Sequence, residues 1–255
     1  NWKANGGTTS TIAVDSVSSG VPSIASSVQA NTTAGFSIVT YSGNADASAT
    51  IGHGLQVNGV ATTPKIIFVK QRDEAGNWIV FTETTGKDNK LNLNATTASA
   101  ESALFNNADP TSTVFSVKDT STEDTFGDGH TYVAYCFANV EGYAKFGSYT
   151  GNDSADGKFI FTGFKPAFVI IKHISGTAGG TKHWYMWDNK RSPQNVNDNT
   201  LLANESDGET ADSSLDIDFL SNGFKLRNAE GAVNNAALYI YLCWAETPFK
   251  YANAN

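Results

Sequence analysis

The sequence predicts an all-β fold: two tandem homologous antiparallel β-sandwich domains, jelly-roll or lectin-like, with an extended N-terminal arm. Three observations carry this. Charged residues make up only 16% of the chain against 40% hydrophobic and 11% aromatic, a balance too apolar for disorder. Thr, Val, Ile, Phe and Tyr, which suit a pleated and half-buried surface, are abundant, whereas the Leu, Lys and Glu of helical bundles are sparse. Finally, the chain repeats itself.

The repeat is collinear. Tyr132-Val-Ala-Tyr-Cys136-Phe-Ala138 matches Tyr239-Ile-Tyr-Leu-Cys243-Trp-Ala245, and Pro64-Lys-Ile-Ile-Phe-Val-Lys70 matches Pro166-Ala-Phe-Val-Ile-Ile-Lys172. Tyr41-Ser-Gly-Asn44 matches Tyr149-Thr-Gly-Asn152, Trp78 matches Trp184, and Phe115 matches Phe224. A period of about 105 residues is too long for a solenoid and suits a complete small sandwich. The predicted division is an arm or linker over residues 1–34, a first copy over 35–142 and a second over 143–255. Trp2-Lys3-Ala4 is similar to Cys243-Trp244-Ala245, which makes the first residues read as the tail of a preceding copy or of a longer polypeptide.

Element by element, residues 5–34 are rich in Gly, Ser, Thr and Ala and read as a connector. Phe36 to Tyr41 reads as a strand closed by the turn residues Ser42-Gly43-Asn44. Ile66 to Val69 and Phe168 to Ile171 are continuous apolar runs that suit strands buried on both faces, each led by a proline where a missing donor does least harm. Asn77 to Phe81 and His183 to Trp187 form the next strands. Tyr149-Thr150 and Lys158-Phe-Ile-Phe161 read as a tight hairpin through the Asp156-Gly157 turn. Short helices are expected only over 98–106 and 207–214.

A net charge of −8 disfavours a broad nucleic-acid interface and an anionic membrane surface. No apolar run approaches the length of a membrane-spanning helix. Cys136 and Cys243 occupy equivalent core positions of two domains, which predicts two buried free thiols rather than a disulfide.

The candidate binding residues lie on the strand His183-Trp-Tyr-Met-Trp187. Period-2 geometry places His183, Tyr185 and Trp187 on one face, where the aromatic rings would form an exposed platform for a sugar; the competing reading packs them against another domain or subunit. Trp184, shared with Trp78, is expected in the core. The acidic loops (Asp153, Asp156, Glu205, Asp207, Glu209, Asp212, Asp216 and Asp218 in the second copy; Asp119, Glu123, Asp124 and Asp128 in the first) could in principle hold calcium, but Asn152-Asp-Ser-Ala-Asp-Gly157 lacks the ligand order of a helix-loop-helix calcium loop. They are expected to be solvated, and no metal or cofactor is expected. No nucleophile elbow, zinc-binding His-Glu-x-x-His, phosphate loop or Cys-x-x-Cys is present, so no catalytic residue is assigned.

The residues that carry the repeat, Gly35-Phe-Ser-Ile-Val-Thr-Tyr-Ser-Gly-Asn44, Ile51-Gly-His-Gly-Leu55, Thr131 to Ala138, Glu141 to Asn152 and Phe219 to Lys225, together with Pro248-Phe-Lys-Tyr-Ala-Asn253, resemble repeated domains of tailed-phage virion proteins of marine and cyanophage type. Residues 56–63 lengthen the first copy relative to that pattern. The resemblance implies a non-enzymatic virion structural protein, a tail fibre or surface appendage for host attachment. It implies assembly in the host cytoplasm, extracellular action, and partnership as a homotrimer or with other virion proteins and a host glycan or receptor. A lectin-like carbohydrate-binding surface protein is the alternative, followed by a polysaccharide depolymerase.

Overall fold

The computed structural model describes residues 8–15, 21–120, 125–176 and 181–247. They form antiparallel sheets and no α-helix, and they divide into two compact units, the first reaching to Ala138 but without Leu93–Ala98, the second made of Leu93–Ala98 and the residues from Asn139 on. The helices expected over 98–106 and 207–214 are absent. The first stretch holds the short strand Ala100–Glu101 followed by turns, and the second ends in a single 3-10 turn, Ser213–Leu215, whose Ser214 N–H is capped by the Asp212 carboxylate. Neither stretch carries the apolar stripe needed to hold a longer helix on a core.

In the first unit the strands are β1 (Ser10–Ile12), β2 (Ser26–Asn31), β3 (Phe36–Ser42), β4 (Ser48–Gly52), β5 (Gln56–Val57), β6 (Val60–Ala61), β7 (Ile66–Gln71), β8 (Ile79–Thr82), β9 (Asn89–Asn92), β10 (Ala100–Glu101), β11 (Val114–Lys118) and β12 (Thr131–Phe137). The larger sheet runs β1-β2-β3-β12-β7-β8-β9-β10, and β11 pairs β4 in a smaller one. Residues 26–31, from the stretch read as a connector, pair with β3 as β2, because Val28 and Ala30 alternate inward onto the core. The extra residues 56–63 contribute the β5-β6 hairpin. Asn1–Lys3, read as the tail of a preceding copy, lie outside the described residues.

The second unit contains β13 (Ala144–Thr150), β14 (Phe159–Phe161), β15 (Pro166–Ser175), β16 (Trp184–Asp188), β17 (Asn199–Leu202), β18 (Thr210–Ala211), β19 (Ile217–Leu220), β20 (Gly223–Leu226) and β21 (Leu238–Ala245). Its larger sheet runs β13-β21-β15-β16-β17-β18, which reproduces β3-β12-β7-β8-β9-β10 strand for strand. Its smaller sheet is β14-β20-β19, so the strands on either side of Asp156-Gly157 cross between sheets instead of pairing as a hairpin, and Ile160 opposite Phe224 repeats Ile51 opposite Phe115. In both units the core lies between the sheets, with Val39, Ile67, Val69, Ala134 and Cys136 facing Ile51, Phe115 and Val117 in the first. Cys136 and Cys243 are free and buried, and burial raises both thiols, that of Cys136 to about 12.

The repeated Tyr-x-Gly-Asn motif has a physical role in each copy. Tyr41 donates from its hydroxyl to Thr125 O at 2.7 Å, and Tyr149 to Val233 O at 2.7 Å. Each ring stacks on the tyrosine of the neighbouring strand, Tyr41 on Tyr132 at 5.2 Å and Tyr149 on Tyr239 at 5.1 Å. Burial raises the pKa of Tyr41 and of Tyr149 well above the ordinary value, so both remain hydrogen-bond donors. The glycine two residues on admits a crossing loop: a Cβ on Gly43 would lie 1.8 Å from Gly127 O, and one on Gly151 2.0 Å from Asn235 O. The asparagine then ties the turn, Asn44 by accepting from Asp46 N–H, and Asn152 by accepting from Asn234 Nδ2 on its side-chain oxygen while its backbone N–H donates to Asn234 Oδ1.

Two predictions follow from this core. Y149F leaves the Val233 carbonyl buried without its donor and should cost about 1–3 kcal/mol in urea unfolding. The second concerns His53, which is fully buried: Nδ1 accepts from Leu55 N–H at 3.0 Å, so Nε2 carries the proton and donates to Thr111 O at 3.2 Å. Burial lowers its pKa from 6.5 to about 4, against a smaller opposing effect of the Thr111 bond. The unfolded chain therefore binds a proton that the folded chain refuses. This contribution is complete above about pH 6.5, declines as pH falls toward 4, and totals about 3 kcal/mol. H53N should lose this part of the pH dependence when unfolding is compared at pH 7 and pH 4.5.

Candidate functional site

The predicted sugar platform does not exist as an exposed surface. Tyr185 is 7% exposed and Trp187 fully buried, and both belong to the core of the second unit. Trp187 Nε1 donates to Leu215 O at 3.2 Å, and the Tyr185 hydroxyl donates to Thr181 O at 3.1 Å. His183 is half-buried, with Nδ1 2.9 Å from Asn204 Nδ2 and its ring edge-on to Tyr185. The face assignment was inverted. Tyr185 and Trp187 align with Ile79 and Phe81, the inward residues of β8, and that apolar pair was the available signal. Trp184 is buried as expected but on the opposite face, where the Lys172 ammonium lies 5.8 Å from its ring centre. Burial pulls that lysine down to about 7.

Among the described residues, no group of three or more His, Cys, Asp or Glu comes together to hold a metal ion. Glu123 and Asp124 lie outside the described residues. Of the acidic set, Glu209 pairs with Arg191 at 3.4 Å, and the same guanidinium pairs with Asp188 at 2.6 Å.

A concave site does occur in the first unit. The chain crosses from the smaller sheet, where Ile24 bridges Ile51, to the larger sheet, where Ser27 pairs with Thr40. The crossing separates β2 from the end of β3 and opens a cleft of about 430 Å³. One wall is Ile24 to Ser27 with Thr11, the other Thr40 to Ser42, and Thr131 and Arg72 close the far side. Seven of these carry hydroxyl groups; Ser26 and Tyr41 donate theirs to Gly52 O and Thr125 O, and Thr11, Ser27, Thr40, Ser42 and Thr131 are the other five. The volume falls within the range of small-ligand sites.

Alternation explains the lining. Gln71 points inward and is buried, which turns Arg72 outward into solvent, and the Arg72 N–H donates to Thr131 O at 2.8 Å. Among the described residues, no ion pair engages the Arg72 guanidinium. The neighbouring Asp73 braces the far wall by accepting from Thr131 N–H at 2.8 Å and Thr131 Oγ1 at 3.3 Å, and from Gln71 Nε2 at 3.2 Å. Desolvation raises the Asp73 pKa, but these bonds outweigh it and hold the carboxyl at about 2. Asp73 is thus an anion throughout the physiological range. The cleft offers hydroxyl donors and acceptors and one cation.

Sequence reasoning missed these residues. Ser and Thr are common in this chain, and the lining is gathered from five strand segments far apart in sequence. The chain matches no curated protein and no solved structure. It does match one family over residues 1–248, nearly its whole length. The chain belongs to the family described as a domain of unknown function, DUF7483.

Proposed function

We propose that the chain is a non-enzymatic structural and adhesive module of a tailed-phage virion, a tail fibre or surface appendage, and that it holds a host-surface glycan in the Arg72 cleft. The observation that carries the adhesive part is the composition of that cleft: an outward guanidinium among five hydroxyls on a hydrogen-bonded sheet, in a chain of net charge −8. Hydroxyls exchange hydrogen bonds with sugar hydroxyls, and a guanidinium pairs with a carboxylate through two parallel bonds. The chemistry therefore favours an acidic saccharide. The virion assignment rests on the resemblance of the repeat motifs to phage appendage domains. In that setting the chain works outside the cell as a homotrimer or with other virion proteins, and its stability comes from packed tandem sandwiches rather than disulfides.

The lectin-like reading shares the cleft and differs in where the protein resides. Immunogold labelling of intact particles should decorate an appendage; labelling confined to a cell surface would move the chain to that reading. For the cleft, the probes are tri-galacturonic acid and the neutral maltotriose. R72Q should weaken the acidic probe by about tenfold or more, since a hydrogen bond to a charged group contributes about 1.5–3 kcal/mol. Binding of the neutral sugar should change little. Equal binding of the acidic probe to both proteins would remove the cleft from the proposal.

A further inference from the structure

The smaller sheets of the two units have equivalent edge strands, and the two edges are treated differently. In the first unit, Asp119 N–H donates to Ala47 O and His53 N–H to Thr113 O. Antiparallel alternation therefore turns Ala49 and Ile51 toward β11 and the backbone of Thr50 and Gly52 toward the open side. The N-terminal segment fills that side. Ser23 N–H donates to Thr50 O at 2.9 Å, Thr50 N–H donates to Ser23 Oγ at 2.8 Å, and Ser26 Oγ donates to Gly52 O at 2.7 Å. Ile24 makes a parallel bridge with Ile51. A Cβ on Gly52 would meet Ile12 at 2.7 Å and Pro22 at 3.1 Å, so these two side chains occupy the space over the edge.

In the second unit, Leu226 N–H donates to Lys158 O and Thr162 N–H to Asn222 O, each at 3.0 Å. The same alternation bonds Ile160 to β20 and turns Phe159 and Phe161 outward. Through the pairing of Ile160 with Phe224 and of Ile51 with Phe115, they are the counterparts of Thr50 and Gly52. No segment of the described residues lies along them. Lys145 meets the end of the edge, donating to Phe161 O at 3.0 Å with its ammonium 5.2 Å from the Phe161 ring centre. Phe159 is 40% and Phe161 58% exposed, on a strand whose outward backbone groups have no other partner among the described residues. An apolar edge left open in this way is a template for strand pairing.

We propose that β14 is an acceptor edge for an extended, uncharged peptide segment of a partner polypeptide, added parallel to the strand with proline or aliphatic side chains over Phe159 and Phe161. The segment Val21-Pro22-Ser23-Ile24, seated on the equivalent edge of the first unit, defines the occupant. It adds a backbone bond from Ser23 N–H to Thr50 O, a side-chain bond from Thr50 N–H to Ser23 Oγ, a parallel bridge of Ile24 to Ile51, and the Pro22 side chain above. Lys145 disfavours a basic segment at the Phe161 end. Strand addition of this kind draws affinity from main-chain bonds and selectivity from alternate side chains. The proposal stands independently of the Arg72 cleft.

The test titrates a synthetic peptide of residues 21–28 onto the full chain and follows amide hydrogen exchange. The Phe159 and Phe161 amides should slow about tenfold when free peptide reaches about nine times its dissociation constant. F159D combined with F161D replaces two exposed side chains, should keep the native near-ultraviolet circular dichroism, and should abolish the protection. Unchanged exchange at these amides, equal protection in the double variant, or a response of the Phe rings to methyl glucopyranoside but not to the peptide would each overturn the proposal.

Discussion

A phenol taken out of water must find an acceptor, and both halves of this protein are organised around that requirement. The equivalent strands β3 and β13 each deliver a tyrosine into the core, where its hydroxyl reaches a carbonyl in the segment before the last strand. That bond spans 84 residues in each copy and ties the strand to the segment that leads into its sheet neighbour. The stack on a second tyrosine and the close crossing at Gly43 or Gly151 hold the same corner. A small sandwich without disulfides has few covalent means of fixing its two layers, and a buried directional bond does so at modest cost.

Around this shared frame the copies diverge at their edges. The first unit uses its N-terminal segment twice: as β2 it extends the larger sheet, and as residues 21–24 it covers the edge of the smaller one. The switch between sheets opens the cleft beside Arg72. The second unit has no described segment in that position and instead exposes two phenylalanines. A cleft with hydroxyls and an open apolar edge are therefore consequences of one difference, the presence or absence of a strand-like segment ahead of the repeat.

Much of the architecture was legible because it depends on local pattern. Continuous apolar runs at 66–69 and 168–171 mark strands buried on both sides, and collinear motifs mark the duplication. The cleft was illegible because Thr11, Ser27, Thr40, Arg72 and Thr131 are ordinary residues at scattered positions, and hydroxyls in a Ser- and Thr-rich chain carry no signal until register sets them side by side. The inverted face of β16 has a different cause. Period-2 alternation names two faces without saying which is inner, and this strand is apolar on both.

Strand type, duplication and the exclusion of a broadly basic surface are thus properties of the chain itself, since alternation, turn chemistry and charge act over a few residues or over the whole composition. Which face is core, which edge is covered and where polar groups converge depend on how distant strands are layered. Those outcomes follow from long-range pairing, and only the folded chain decides them.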